Sequence, residues 1–320
     1  MLIIMSTLRR VLIANRGEIA VRCIRACKQL SITSIAIFTS ADAGSLHVRL
    51  ADSSVLFDGE GPRAYTDIDA ILGICKKQEV DAVFPGYGFL SESADFARRV
   101  HEAGMVFVGP DSDAIHKMGL KHVARELATS SGIPVIKGSG LLQDAEETIS
   151  LTQELGFPVM LKASGGGGGM GQHVCWTEDD VPSAFAHVES RSKELFGDTG
   201  VFLERYYPAS HHIEVQVFGN GSEVISFGER ECSIQRRRQK VIEECPSPYL
   251  AGKPELRSSL LSSALTLAKA IKYTSAGTIE FLVDDKTGDF FFLEMNTRLQ
   301  VEHGITELCF DVNLVVLMLR

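Results

Sequence analysis

The sequence predicts an α/β protein in two units: a parallel sheet covered by helices, then a second region in which β-hairpins interrupt the strand–helix alternation. Three observations carry this. Between Arg10 and Gly119 short β-rich runs alternate with amphipathic stretches, the order that builds parallel sheets. Beyond Lys121 the pattern mixes helices with hairpins, one of them around Asn220-Gly221. The 320 residues, 45% hydrophobic, allow about two packed cores.

The first unit, residues 1–119, reads in order VLIA, GEIAVRCIRACKQL, SIAIF, DIDAILGICKKQ, DAVFPG, ADFARRVHEAG and MVFVGP, strands alternating with helices. Asn15-Arg16-Gly17 stands where a dinucleotide-binding turn would place its glycines; Gly17 is alone there, which disfavours that ligand. The second unit, 120–320, reads as helix HVARELATSS, strand IPVIKG, helix AEETISLTQEL closed by Gly156 and Pro158, and strand PVMLK. After a glycine run come HVCW, a helix to about Leu195, strand VFLERYY, and a hairpin of HIEVQVF and EVISFGE. SIQRRRQKVIEECPSPYL reads as a polar loop, followed by a helix from Pro254 to about Ile271 and the hairpin GTIEFLVDDKTGDFFFLEMN. DVNLVVLMLR reads as a helix with Asp311 as N-cap and no closing cap, as expected of a piece of a longer chain. Met5 offers a second start.

A net charge of −9 and a pI near 5.5, with no sustained basic run, argue against nucleic-acid and membrane-surface partners. No window approaches the roughly 20 apolar residues of a membrane span, and the apolar start of MLIIMSTLRR is too short for a secretory signal. Seven cysteines show neither a Cys-x-x-Cys pair nor zinc-ligand spacing, which fits free thiols in a reducing, cytoplasmic setting better than an organelle such as the mitochondrion. Cys232 and Cys245 read as structural rather than reactive.

Two stretches carry chemistry. LKASGGGGGMGQHV places five glycines between two strands, where backbone N–H groups can face phosphate oxygens without side-chain interference; a flexible tether is the bland alternative. Lys162, on the strand entering the run, could reach those phosphates. In the last hairpin, pairing around Asp285–Asp289 sets Glu280 opposite Glu294, a repulsive pair unless a cation lies between. Strand alternation puts Glu294, Asn296 and Arg298 on one face, with Phe291 and Leu293 on the other. Two carboxylates and an amide oxygen suit Mg²⁺ held with nucleotide phosphates, although a merely solvated face would look alike.

VLIANRGEIAVRCIRA, FPGYGFLSESADFA, KASGGGGGMG, ERECSIQRRRQKVIEECPSP and EMNTRLQVEHGITE together closely resemble the biotin carboxylase component of biotin-dependent carboxylases, from about Arg9 to Arg320. The resemblance implies a Rossmann-like N-terminal domain, then an ATP-grasp domain with a mobile glycine-rich lid over about 137–203. It implies ATP-dependent carboxylation of biotin by bicarbonate through carboxyphosphate, with Mg²⁺ or Mn²⁺. Biotin would arrive on a carrier domain, and a carboxyltransferase domain would follow. By motif, Lys121, Lys162, Gly168 and Gly169 would hold phosphates, and Glu204, Arg205, Tyr206, Tyr207, His212 and Arg238 the rest of ATP. Glu280, Glu294 and Asn296 would hold metal. Lys240, Arg298 and Val301 would cradle bicarbonate, and Glu302 would act as base, so that Lys240, Arg298 and Glu302 form the catalytic group. Arg238 stands where many members carry histidine, and Gln172 where a methionine is usual. Met170 in place of a basic residue, Gly304 in place of proline and the closing LVVLMLR are similar to the urea carboxylase branch; acyl-CoA and pyruvate carboxylases, and a noncatalytic nucleotide-binding fragment, are the alternatives. The family's C-terminal domain, with its arginine for biotin, is absent from these 320 residues.

Overall fold

A computed structural model describes residues 8–57, 59, 61–164, 171–196 and 199–320. Its first sheet contains β1 (Arg10–Ile13), β2 (Thr33–Phe38), β3 (Ser53–Leu56), β4 (Ala82–Phe84) and β5 (Val106–Phe107), all parallel, ordered β3-β2-β1-β4-β5. Interior residues of β1, β2 and β4 are buried on both faces, hence their unbroken apolar runs. Helices Gly17–Leu30, Ile68–Lys77 and Ala94–Glu102 occupy the amphipathic stretches. Asp67 and Ser93 cap the latter two by accepting from the N–H groups of Ala70 and Phe96.

Strand order reverses between β1 and β4, where open parallel sheets form a crevice. There Asn15 donates its amide to the carbonyls of Pro85 and Tyr87 at 2.7 and 2.8 Å, tying the two loops together. Gly86 has φ +67°, and a Cβ on it would stand 2.9 Å from Ile19, so the approach requires glycine.

A second sheet, antiparallel, joins β6 (Gly138–Leu141), β7 (Val159–Ala163), β8 (Gln172–Cys175) and β9 (Val201–Arg205) in the order β6-β9-β7-β8. Because β7 and β8 pair, the glycine run does connect two strands of one hairpin. The third and largest sheet, also antiparallel, contains β10 (Ser210–Asn220), β11 (Val224–Arg236), β12 (Gln239–Glu244), β13 (Thr274–Asp284) and β14 (Phe290–Asn296), ordered β12-β11-β10-β13-β14. Helices Ser112–Gly119, Lys121–Ser130 and Pro254–Ala270 cover its apolar face. Helix His303–Phe310 packs against β11, and helix Leu314–Met318 joins the core of the first unit.

Four expectations change. IPVIKG is not a strand: Val135 makes only an isolated bridge to Phe292, and β6 starts at Gly138. The supposed polar loop is a hairpin of β11 and β12, turning on Arg237 and Arg238 at φ 52° and 64°, left-handed positions usually given to glycine or asparagine. Asp311 closes helix His303–Phe310 in a left-handed conformation, while Asn313 caps the next helix through the N–H of Val316. A β-bulge between Glu280 and Phe281 pairs Phe281 with Phe292 and Leu282 with Phe291, so Phe291 shares the face of Glu294 instead of opposing it.

Candidate active site

The third sheet sorts its residues by alternation. Ile213, Val215, Ile279, Phe281 and Val283 enter the apolar core, while His212, Glu214, Gln216, Thr278 and Glu280 share the opposite face. Glu214 pairs with Glu280 across β10 and β13, and Glu280 with Glu294 across β13 and β14, the latter as the sequence predicts. Three carboxylates in neighbouring registers demand counter-charge.

Lys240 on β12 supplies it. Its ammonium bonds Glu214, Glu280 at 2.8 Å and Glu302 at 2.8 Å. Burial opposes charge on Glu280, but His212, 2.7 Å away, and Lys240 outweigh it and hold that carboxyl well below its ordinary range. Burial likewise opposes charge on Glu302, and Lys240 again wins, leaving it ionised. Desolvation lowers the Lys240 pKa, but Glu280, Glu214 and Glu302 together raise it well above the ordinary lysine value. Ligand atoms of His212, Glu214 and Glu280 lie within 4.8 Å of one another, as do those of Glu214, Cys232 and Glu302, but Lys240 already serves these clusters as their cation.

Sequence reasoning missed the residue beneath this group. Arg230 on β11 is fully buried, and its guanidinium donates to Glu214, Gln216, Thr306, Thr278 and Gln300. Gln300 in turn donates to Glu280 at 2.9 Å. Arg230 therefore fixes Glu214 below Lys240 and both flanks of the segment bearing Val301 and Glu302. A buried arginine is tolerated only with such pairing. Its partners stand up to 76 positions away, so no local pattern marks it.

Glu294 differs from the other carboxylates. Among the described residues no side chain hydrogen-bonds to it; burial and then Glu280 push its pKa up, against Lys121 and Lys162. A half-buried carboxylate with neighbouring lysines and a second carboxylate in register is a place where a divalent cation relieves repulsion, so the donor set fits one. Asn296 donates to Glu280 at 2.8 Å and accepts from Arg298 at 3.1 Å. Lys162 and Arg125 both pair with Glu204. Burial lowers the Lys121 pKa, with Lys162 adding to the effect.

Arg298 is held by Glu92, a first-unit residue, at 2.9 Å. Val301 is exposed. Tyr207 stacks on Phe291 with ring centroids 5.0 Å apart, Arg205 lies over Tyr207, and Tyr206 packs edge-on to Trp176. Arg238 donates to Gln172 at 2.6 Å, so two of the positions that depart from the resemblance are bonded to each other across the second and third sheets. Gly168 and Gly169 lie outside the described residues. Every other residue expected at the site lies in the second unit; Glu92 adds a contact from the first.

Residues 7–115 match the family described as biotin carboxylase, N-terminal domain, and residues 121–320 the carbamoyl-phosphate synthase L chain, ATP binding domain. Biotin carboxylase 1 of Bacillus subtilis (strain 168) is 44% identical over 314 residues, covering 96% of this chain and 69% of that protein. The chain belongs to the biotin carboxylase family. Among biotin carboxylases of known structure, the Hydrogenobacter thermophilus 2-oxoglutarate carboxylase biotin carboxylase domain, a dimer in complex with MgADP, ADP and bicarbonate, superposes with TM-score 0.94 at 41% identity, covering 98% of this chain and 69% of that one. A putative urea carboxylase of Emericella nidulans is 59% identical over 318 residues, 99% of this chain but 26% of that protein. The chain thus spans about a quarter of that relative's length. Among the described residues, no helix is long and apolar enough to cross a membrane.

Proposed function

We propose that this chain carries out the ATP- and bicarbonate-dependent carboxylation of biotin, as the biotin carboxylase part of a urea carboxylase. The observation that carries the reading is Lys240 held between Glu280 and Glu302, with Arg298 two positions beyond Asn296 on the same segment. Lys121 and Lys162 take the phosphates of ATP, together with Gly168 and Gly169. Glu204, Arg205, Tyr206, Tyr207, His212 and Arg238 line the remainder of the nucleotide. Glu280, Glu294 and Asn296 hold Mg²⁺, which neutralises phosphate charge when bound. Asn296 accepts from Arg298, which Glu92 also holds, so the residues that would hold the metal and those that would hold the anion adjoin.

Lys240, Arg298 and the Val301 backbone then cradle the anion. Glu302 is ionised and can accept the bicarbonate proton. While paired with Lys240 it is a weak base; an anion that draws the ammonium away makes it a stronger one. Arg298 stabilises negative charge that grows on the attacking oxygen.

Biotin arrives on a carrier domain, and a carboxyltransferase domain passes the carboxyl group onward, both in the longer protein. The urea assignment is supported by 59% identity to the Emericella nidulans protein, against 45% to human mitochondrial propionyl-CoA carboxylase alpha chain. Seven free thiols suit a cytoplasmic setting. The test is ADP release from Mg-ATP by the full-length protein. Bicarbonate with free biotin should stimulate it, and urea should stimulate it further where propionyl-CoA does not. No response to bicarbonate would end the reading; a response to propionyl-CoA alone would end its urea part.

A further inference from the structure

Five of the seven cysteines are buried, whereas Cys309 is exposed and Cys245 half-buried. The Cys309 thiol donates to the backbone carbonyl of Cys245 at 3.0 Å, across 64 positions of sequence. Cys245 directly follows β12, the strand that carries Lys240. Cys309 lies in helix His303–Phe310, which begins directly after Glu302. The two elements joined by this thiol contact are therefore the two joined by the 2.8 Å contact of Lys240 with Glu302. The helix is seated firmly on β11: Thr306 accepts from Arg230, and the Phe310 ring fills the space over Gly228, where a Cβ would stand 2.6 Å from its Cζ.

We propose that Cys245 and Cys309 are a modification site, a thiol pair that a hydroperoxide oxidises to a disulfide, and that this bond alters the Lys240–Glu302 contact. Exposure makes Cys309 the thiol that meets the oxidant. Burial, helped by the Cys309 thiol, pushes Cys245 up to about 12, so Cys245 stays protonated until its partner is activated. The Cys309 thiolate attacks one peroxide oxygen, the O–O bond breaks, and the departing hydroxide leaves as water, giving a sulfenic acid. The Cys245 sulfur then attacks the Cys309 sulfur; its proton and the displaced hydroxide leave as a second water. Two thiols and one hydrogen peroxide give one disulfide and two waters. An S–S bond of about 2.05 Å draws the last turn of the helix toward the end of β12. The lysine and the glutamate at the other ends of those elements must adjust.

The thiol pair stands on the Cys309–Cys245 contact and the exposure of Cys309; only its effect on turnover rests on the proposed function. The experiment treats the full-length protein with hydrogen peroxide, digests it without reductant and maps the peptides by mass spectrometry. A cross-linked pair containing Cys245 and Cys309, cleaved by dithiothreitol and missing from Cys245→Ser and Cys309→Ser, is expected. Finding Cys309 over-oxidised or paired elsewhere, with Cys245 still alkylatable, would overturn the proposal. In parallel, peroxide should abolish bicarbonate-stimulated ADP release in the wild type, reversibly with dithiothreitol, and leave Cys309→Ser insensitive. Unchanged turnover in fully cross-linked protein would overturn the coupling. A reduced protein without any stimulation would count against the proposed function, and the cross-link would still decide the thiol pair.

Discussion

The two faces of the third sheet come from the same strands, residue by alternate residue, yet obey different physics. On one, Ile213, Val215, Ile279 and Phe281 are stabilised by leaving water, and any similar apolar side chain would serve nearly as well. On the other, Glu214, Glu280 and Arg230 are just as buried but are tolerated only because each has named partners. The lesson is that the apolar face sets how stable the sheet is, whereas the polar face sets what it can do, at a cost in stability that its hydrogen bonds offset.

The largest expected effect breaks the polar face from beneath. Arg230→Met leaves Gln216 without its donor and Glu214 with Lys240 alone, and should cost about 3–5 kcal/mol, read from the urea unfolding midpoint. A loss under about 1 kcal/mol, within the range of surface ion pairs, would mean that the network is not needed to keep those carboxylates buried. Ile279→Val sharpens the contrast from the apolar side. It should cost roughly 0.5–1.5 kcal/mol while leaving bicarbonate stimulation intact. Lost stimulation there would show that the two faces are coupled more tightly than alternation suggests.

Legibility followed the same division. Helix Gly17–Leu30 and the Asn220-Gly221 hairpin were readable because each follows from a local period or turn rule, whereas Glu280 meets Glu294 as expected only because the bulge offsets a one-residue shift nearer the turn, where Val283 pairs with Phe290. The β11–β12 hairpin was not, since Arg237 and Arg238 hold left-handed conformations that their side chains do not advertise. The bulge beside Glu280 was equally hidden: an extra residue on one strand preserves a pairing on one side of it and shifts every pair on the other. At the site, candidate charges were visible as residues out of place in apolar strands, but their partners were not. Arg230 with Thr306, Arg298 with Glu92, and Lys240 with Glu302 are pairs made by folding over distances of 62 to 206 positions.

We propose Glu302, ionised beside Lys240, as the base for bicarbonate. Bicarbonate-stimulated ADP release and ATP affinity, measured side by side in Glu302→Gln, test it most directly. ATP affinity should be unchanged and stimulation reduced by about 10²–10⁴-fold. Stimulation retained at the wild-type level would contradict it.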